Sequence, residues 1–284
     1  MDTIPEEHCK GVFATIDRRG SNCSGKRETT KIHIAEVTPG NFFYSTSIRE
    51  RPPFLKELLA SDPILLRCDS IQIGPFQREN QPRRAVSKEK LSKQLIPFLI
   101  RQLSANSCLT ANIATSSKTT STVFKLLKNG HFSRIRLLYC GPKTEEFLEC
   151  QATNMNLEQL ELLGTWPDPS KTSQTAVTIL KQGNLRRLWF DGHPRSCNLK
   201  VDFPVFKALF DLWVESKGAR DFEVEGPVGV IPKEMNIYAK DFDSDVTVDD
   251  IAYKSDQFSS KFVVSTCSCS NSIILKTVPA IAKF

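Results

Sequence analysis

The chain has 284 residues, 40% of them hydrophobic and 25% charged, an ordinary folded-protein composition with enough apolar material for a core. Its formal charge of +6 is too mild for a nucleic-acid footprint unless it is gathered into one patch, and no apolar run approaches the roughly 20 residues needed to span a bilayer. Nine scattered cysteines, an odd number, argue for reduced thiols over a disulfide framework, and the acidic, polar N-terminus lacks a secretory signal, so a soluble cytoplasmic or nuclear protein is expected.

Residues 1 to 19 read as a short helix. Pro5 is tolerated in a first turn, Glu6 and Glu7 suit the positive end of a helix dipole, and Val12, Phe13 and Ile16 follow at i, i+1 and i+4. The pattern Ile4-Pro5-x-Glu7 with Val12-Phe13-x-x-Ile16 resembles the opening of an F-box, the helical motif that docks onto the Skp adaptor of cullin ubiquitin ligases. The resemblance implies that Ile4, Pro5, Glu7, Val12, Phe13 and Ile16 form an adaptor-docking surface.

Residues 20 to 50 read as a polar linker followed by a hairpin cap. Gly20-x-x-x-x-Gly25-Lys26 has the outline of a phosphate-binding loop, but Arg27 stands where a Ser or Thr would reach magnesium, and a strand follows instead of a helix. Alternation over Ile32 to Val37 and Phe42 to Ile48, joined by Pro39-Gly40-Asn41, predicts two antiparallel strands.

From residue 51 to 230 the rhythm is helix, then strand. Apolar triads with the spacing x, x+3, x+5 begin at Cys68, Cys108, Phe132, Leu157, Leu185 and Ala219, and each reads as a short strand. Amphipathic stretches precede them, the clearest being Phe206, Leu209, Phe210 and Trp213. Glycines at 74, 164, 192 and 226 are expected to release the chain from its strands. Parallel strands joined by helices follow from this order. The spacing resembles the Leu-x-x-Leu-x-Leu of leucine-rich repeats. With the N-terminal motif, the whole is similar to a nematode family of proteins with an F-box-like N-terminus and degenerate leucine-rich-like repeats. The fold expected is therefore α/β, a leucine-rich-repeat-like solenoid with strands on one face, helices on the other and hairpin caps at the ends.

Residues 231 to 284 lose the rhythm. The polar stretch up to Asp250 reads as partly irregular, and Lys261 to Val264 and Ser272 to Leu275 read as two strands of a second cap. Asp243-Ser244-Asp245 lacks the helix-loop-helix context and terminal glutamate of a calcium loop.

Few groups suit chemistry. The four histidines share no metal-ligand spacing, no Gly-x-Ser-x-Gly elbow occurs, and no enzyme activity, cofactor or metal is expected. Strand alternation makes a more specific forecast. If the triads face the helices, the residue between the last two apolar positions points to the open face, giving a row of Gln72, Asn112, Arg136, Glu161, Trp189 and Glu223, flanked by Arg134, Glu158, Arg186 and Arg187. A mixed-charge row with one tryptophan fits a protein-binding surface. The function expected is a protein-binding module, extended by the resemblance to substrate recognition for a cullin-type ubiquitin ligase. The alternatives are a repeat protein with no ligase link and, more remotely, a nucleic-acid binder using Arg78, Arg83, Arg84, Lys88, Lys90 and Lys93. No membrane partner is expected.

Overall fold

The computed structural model describes residues 10–18, 32–38, 41–46, 55–60, 66–75, 84–111, 118–182, 184–191, 197–267 and 271–280. The protein is mixed α/β and separates into two compact units, Met1–Gln151 and Ala152–Phe284.

The first unit opens with three strands, β1 (Lys10–Arg18), β2 (Ile32–Thr38) and β3 (Asn41–Thr46). After α1 (Leu55–Ala60) and β4 (Leu66–Pro75), β5 (Arg84–Ser87) leads into a helical run. That run consists of α2 (Lys88–Lys90), a π-helical stretch (Leu91–Leu95) and α3 (Ile96–Arg101). Pro97 has no N–H to give, and the wider turn just before it, closed by Ile96 N–H on the Leu91 carbonyl, accommodates the interruption. Then come β6 (Leu103–Ala111), α4 (Lys118–Leu127), β7 (Arg134–Leu138) and α5 (Pro142–Cys150). The strand order is β7-β6-β4-β1-β2-β3-β5. β4, β6 and β7 run parallel, and the others pair antiparallel.

The expected hairpin of β2 and β3 is present, pairing Ile32 with Thr46 and Ile34 with Tyr44. A helix is expected over residues 1 to 19; of these the described ones, Lys10–Arg18, form a strand antiparallel to β4 along its length. Val12, Thr15 and Ile16 are β-branched and stiff at χ1, and a bare strand edge beside β4 outweighs an i, i+1, i+4 pattern of only three residues. Phe124 meets Phe147 with ring centroids 5.3 Å apart, so α4 packs on α5, while Ile71, Ile73, Leu109, Ile135 and Leu137 are buried from the strands.

The second unit contains β8 (Gln159–Leu163), α6 (Pro169–Gln182), β9 (Arg187–Phe190), α7 (Phe203–Glu215) and β10 (Glu223–Pro227). It continues with α8 (Pro232–Tyr238), β11 (Asp243–Val246), β12 (Asp250–Lys254), β13 (Ser260–Cys267) and β14 (Ser272–Pro279). The order is β8-β9-β10-β14-β13-β12-β11. β8, β9 and β10 are parallel, and β11 to β14 form an antiparallel meander whose last strand lies against β10. The two late strands appear as expected. The polar stretch before them is ordered into α8, β11 and β12, because hairpin pairing satisfies its backbone although β11 itself is fully exposed.

α7 explains where the core of this unit lies. Asp202 caps it, accepting a hydrogen bond from the Val205 N–H at 3.1 Å, and Val205, Phe206, Leu209, Phe210 and Trp213 form one buried face. That face meets Phe262 of β13, with ring centroids 5.8 Å from Phe206, 5.3 Å from Phe210 and 5.9 Å from Trp213. Trp213 donates its indole N–H to Ser260, and Trp166, also buried, donates to the Leu163 carbonyl. Both tryptophans are core residues, Trp213 on the amphipathic stretch that the sequence marks. The chain turns sharply after β8 at Gly164, whose φ of 78° suits glycine, whereas Gly74 and Gly226 lie inside β4 and β10 and do not end them.

Candidate functional site

Alternation along β8, β9, β10 and β14 separates two faces of the second unit's sheet. Leu160, Leu162, Leu188, Phe190, Val224, Ile273 and Leu275 are buried toward the helices. The residues between them are partly exposed, which defines an open face.

Register fixes the neighbours on that face. One row runs Gln159, Arg187, Glu223, Lys276 and the next runs Glu161, Trp189, Glu225, Ile274. The sequence pattern puts Glu223 beside Trp189. In the structure Glu223 is paired with Arg187, and Glu225 holds the place next to Trp189. A slip of two residues keeps every side chain on its face, so the apolar pattern identifies the face and leaves the lateral neighbour open.

The same slip occurs in the first unit. Gln72 is paired with Thr110, and Thr110 with Arg136, where the pattern puts Asn112; Asn112 itself lies outside the described residues. Arg134 is paired with Cys108. Arg134 and Arg136 are exposed and Gln72 is half-buried. Of the adaptor-docking residues, Ile4, Pro5 and Glu7 lie outside the described residues, and Val12, Phe13 and Ile16 stand in β1 opposite Ile73, Gln72 and Cys68.

Trp189 is half-buried, unlike the other two tryptophans, and its ring lies under the Arg187 guanidinium, whose Cζ is 5.9 Å from the ring centroid. That is within cation–π range. Strand geometry produces the contact, because residues i and i+2 share a face.

Beside this pair a cleft of about 310 Å³ opens where β8, β9 and β10 begin and β14 passes. Its charged lining is Glu158, Arg186, Arg187, Asp221, Glu223 and Lys276. Read across the strands, each contributes one sign: negative from Glu158 just before β8, positive at the start of β9, negative at the start of β10, positive from β14. Asp221 accepts a hydrogen bond from the Thr277 hydroxyl at 3.3 Å, and the same hydroxyl accepts from the Phe222 N–H at 3.2 Å. Among the described residues, the side chains of Glu158, Arg186, Glu223 and Lys276 form no ion pair or hydrogen bond, although Arg187, Glu223 and Lys276 are direct strand neighbours. Their charges stay available to an incoming molecule.

The triads missed Gln159, Glu225, Ile274 and Lys276. Glu225 is hidden by the two-residue slip, and β14 arrives antiparallel from a distant part of the chain, so no repeat announces it.

Other candidates gather less. In the basic stretch, Arg78 and Arg83 lie outside the described residues, and Lys93 is held by Glu89 at 2.8 Å. Among the described residues no three His, Cys, Asp or Glu gather as a metal-binding group, and no helix is long and apolar enough to cross a membrane. The thiols of Cys68, Cys140 and Cys197 are pushed upward by burial, the opposite of what activates a nucleophile. No family model, no curated protein and no solved structure matches the chain.

Proposed function

We propose that the protein is a non-enzymatic binding module that engages a protein partner through the open face of the second unit's sheet. The succession of helices and parallel strands fits a leucine-rich-like repeat scaffold, which holds such a face rigid from behind. One observation carries the reading: the indole of Trp189 and the guanidinium of Arg187 sit together on an open face, near Glu158, Arg186, Glu223 and Lys276, whose side chains make no ion pairs among the described residues. Tryptophan and arginine dominate binding energy at protein interfaces, and a mixed-charge surround supplies specificity.

The adaptor-docking reading gains nothing from the described residues. An F-box docks as helices, and Val12, Phe13 and Ile16 lie on a strand hydrogen-bonded to β4. The proposal therefore includes no ubiquitin-ligase link.

Affinity capture with the intact chain and with a Trp189→Ala, Arg187→Ala variant tests the proposal. A partner retained by the first and lost from the second, with unchanged circular dichroism, is the expected result. A variant that captures the same partners as the intact chain refutes the face as a binding site.

A further inference from the structure

The two rows of the open face constrain the shape of what binds there. Across β9, β10 and β14 the lower row reads Arg187, Glu223, Lys276, and the upper row reads Trp189, Glu225, Ile274. Neighbouring strands stand about 4.8 Å apart, so the lower row presents plus, minus, plus over about 9.6 Å.

An extended peptide laid across the strands matches this poorly, since its same-face residues recur every 6.6 Å or so and fall out of step after one pair. A helix matches it well. At about 1.5 Å per residue, positions i, i+3 and i+7 lie on one stripe at rises of about 4.5 and 10.5 Å, close to the spacing of the three strands. The two rows are separated by two residues along each strand, about 6.6 Å, which is within the width of one helix. The upper row then offers the Trp189 ring and the Ile274 side chain, both half-buried, to aliphatic residues on the flank of the same helix, with Glu225 between them facing a polar or basic position.

We infer that the partner presents an amphipathic helix lying across β9, β10 and β14, with acids at i and i+7, a base at i+3 or i+4, and aliphatic residues on the adjoining flank. The inference rests on the protein-binding reading of this face and adds the partner's form and charge order. Both rows are needed: charge alone would accept any polyampholyte, and Trp189 with Ile274 alone would accept any apolar surface.

The test uses the full chain and two hydrocarbon-stapled peptides of about 20 residues, one with acid, base, acid at i, i+3 and i+7 and one with those signs inverted. Trp189 is half-buried whereas Trp166 and Trp213 are buried, so the part of the tryptophan fluorescence that acrylamide quenches reports occupancy of this face. The expected result is that the first peptide binds about tenfold or more tighter than the second and shields Trp189 from acrylamide. A triple variant, Arg187→Glu, Glu223→Lys and Lys276→Glu, keeps the cross-strand alternation of sign and should invert the preference.

Equal binding of both peptides, or a preference unaltered by the triple variant, overturns the inference. That failure is distinguishable from failure of the binding reading itself: a captured partner that needs Trp189 yet gives no such peptide preference sinks only the helix.

Discussion

Gly226 of β10 and Phe190 of β9 are so close that a Cβ added to the glycine would stand 2.9 Å from the Cβ of the phenylalanine. It would also stand 3.2 Å from a methyl of Val201. Neither Phe190 nor Val201 has room to yield, since both are buried. Gly226→Ala should therefore destabilise the second unit by about 1–3 kcal/mol through overpacking, read as a lower urea midpoint with unchanged slope. A midpoint equal to that of the intact chain would mean that the strands separate more readily than their packing implies.

Trp213 and Trp189 should respond differently to truncation. Trp213→Ala removes an indole that sits 4.8 Å from the Phe258 ring and bonds Ser260, and should cost about 3–5 kcal/mol. Trp189→Ala loses one cation–π contact on an open face and should cost no more than about 1 kcal/mol. Equilibrium unfolding of both variants checks the contrast. Comparable losses would mean that Trp189 is a core residue and would remove the basis of the binding proposal.

Asn198 holds the backbone of Trp166 on both sides, accepting from its N–H at 2.9 Å and donating to its carbonyl at 2.7 Å. Asn198→Ala leaves both groups without these partners and should cost about 1–3 kcal/mol. Asn198→Asp keeps an acceptor for the N–H but loses the donor, so its stability should fall between the two. A denaturation series that ranks Asp with Ala would show that the carbonyl contact carries the clamp.

Burial pushes the Tyr253 hydroxyl up to about 12, and in its neutral form that hydroxyl donates to Asn236 at 2.9 Å. The unfolded chain loses this proton near pH 10, before the folded chain does, so the folded state binds more protons in between. Stability from this group is fully present below pH 10 and is lost as pH rises toward 12. The buried thiols of Cys68, Cys140 and Cys197 act in the same direction, so the useful quantity is a difference. Tyr253→Phe should be less stable than the intact chain by about 1 kcal/mol at neutral pH and should unfold less steeply with alkali. Parallel alkaline curves for the two proteins would contradict the assignment.

Much of the strand content is written in the alternation of apolar residues. Phe132, Ile135, Leu137, Leu157, Leu160, Leu162, Leu185, Leu188 and Phe190 all pack inward, and Trp189 of the open face is separated from Trp213 of the amphipathic stretch. Alternation has a period of two, however, and so is blind to a slide of two. For that reason Glu223 is expected one row away from where pairing sets it, and Thr110 takes the place between Gln72 and Arg136 that the pattern gives to residue 112. Lys276 and Ile274 carry no local signal, because their place beside β10 depends on an antiparallel return that only tertiary packing determines. The N-terminal error has a similar origin. Val12, Phe13 and Ile16 satisfy helix and strand about equally, and pairing with β4 decides between them.

The insertion of β14 between β13 and β10 also bears on biogenesis. While the polypeptide is being synthesised, β10 can dock on β9 as soon as it is available, but its other edge keeps unpaired N–H and C=O groups until β14 has been made. Nascent chains halted within the meander would thus display a sticky ribbon margin, the kind of surface that holdase chaperones shield and that seeds aggregation when they do not.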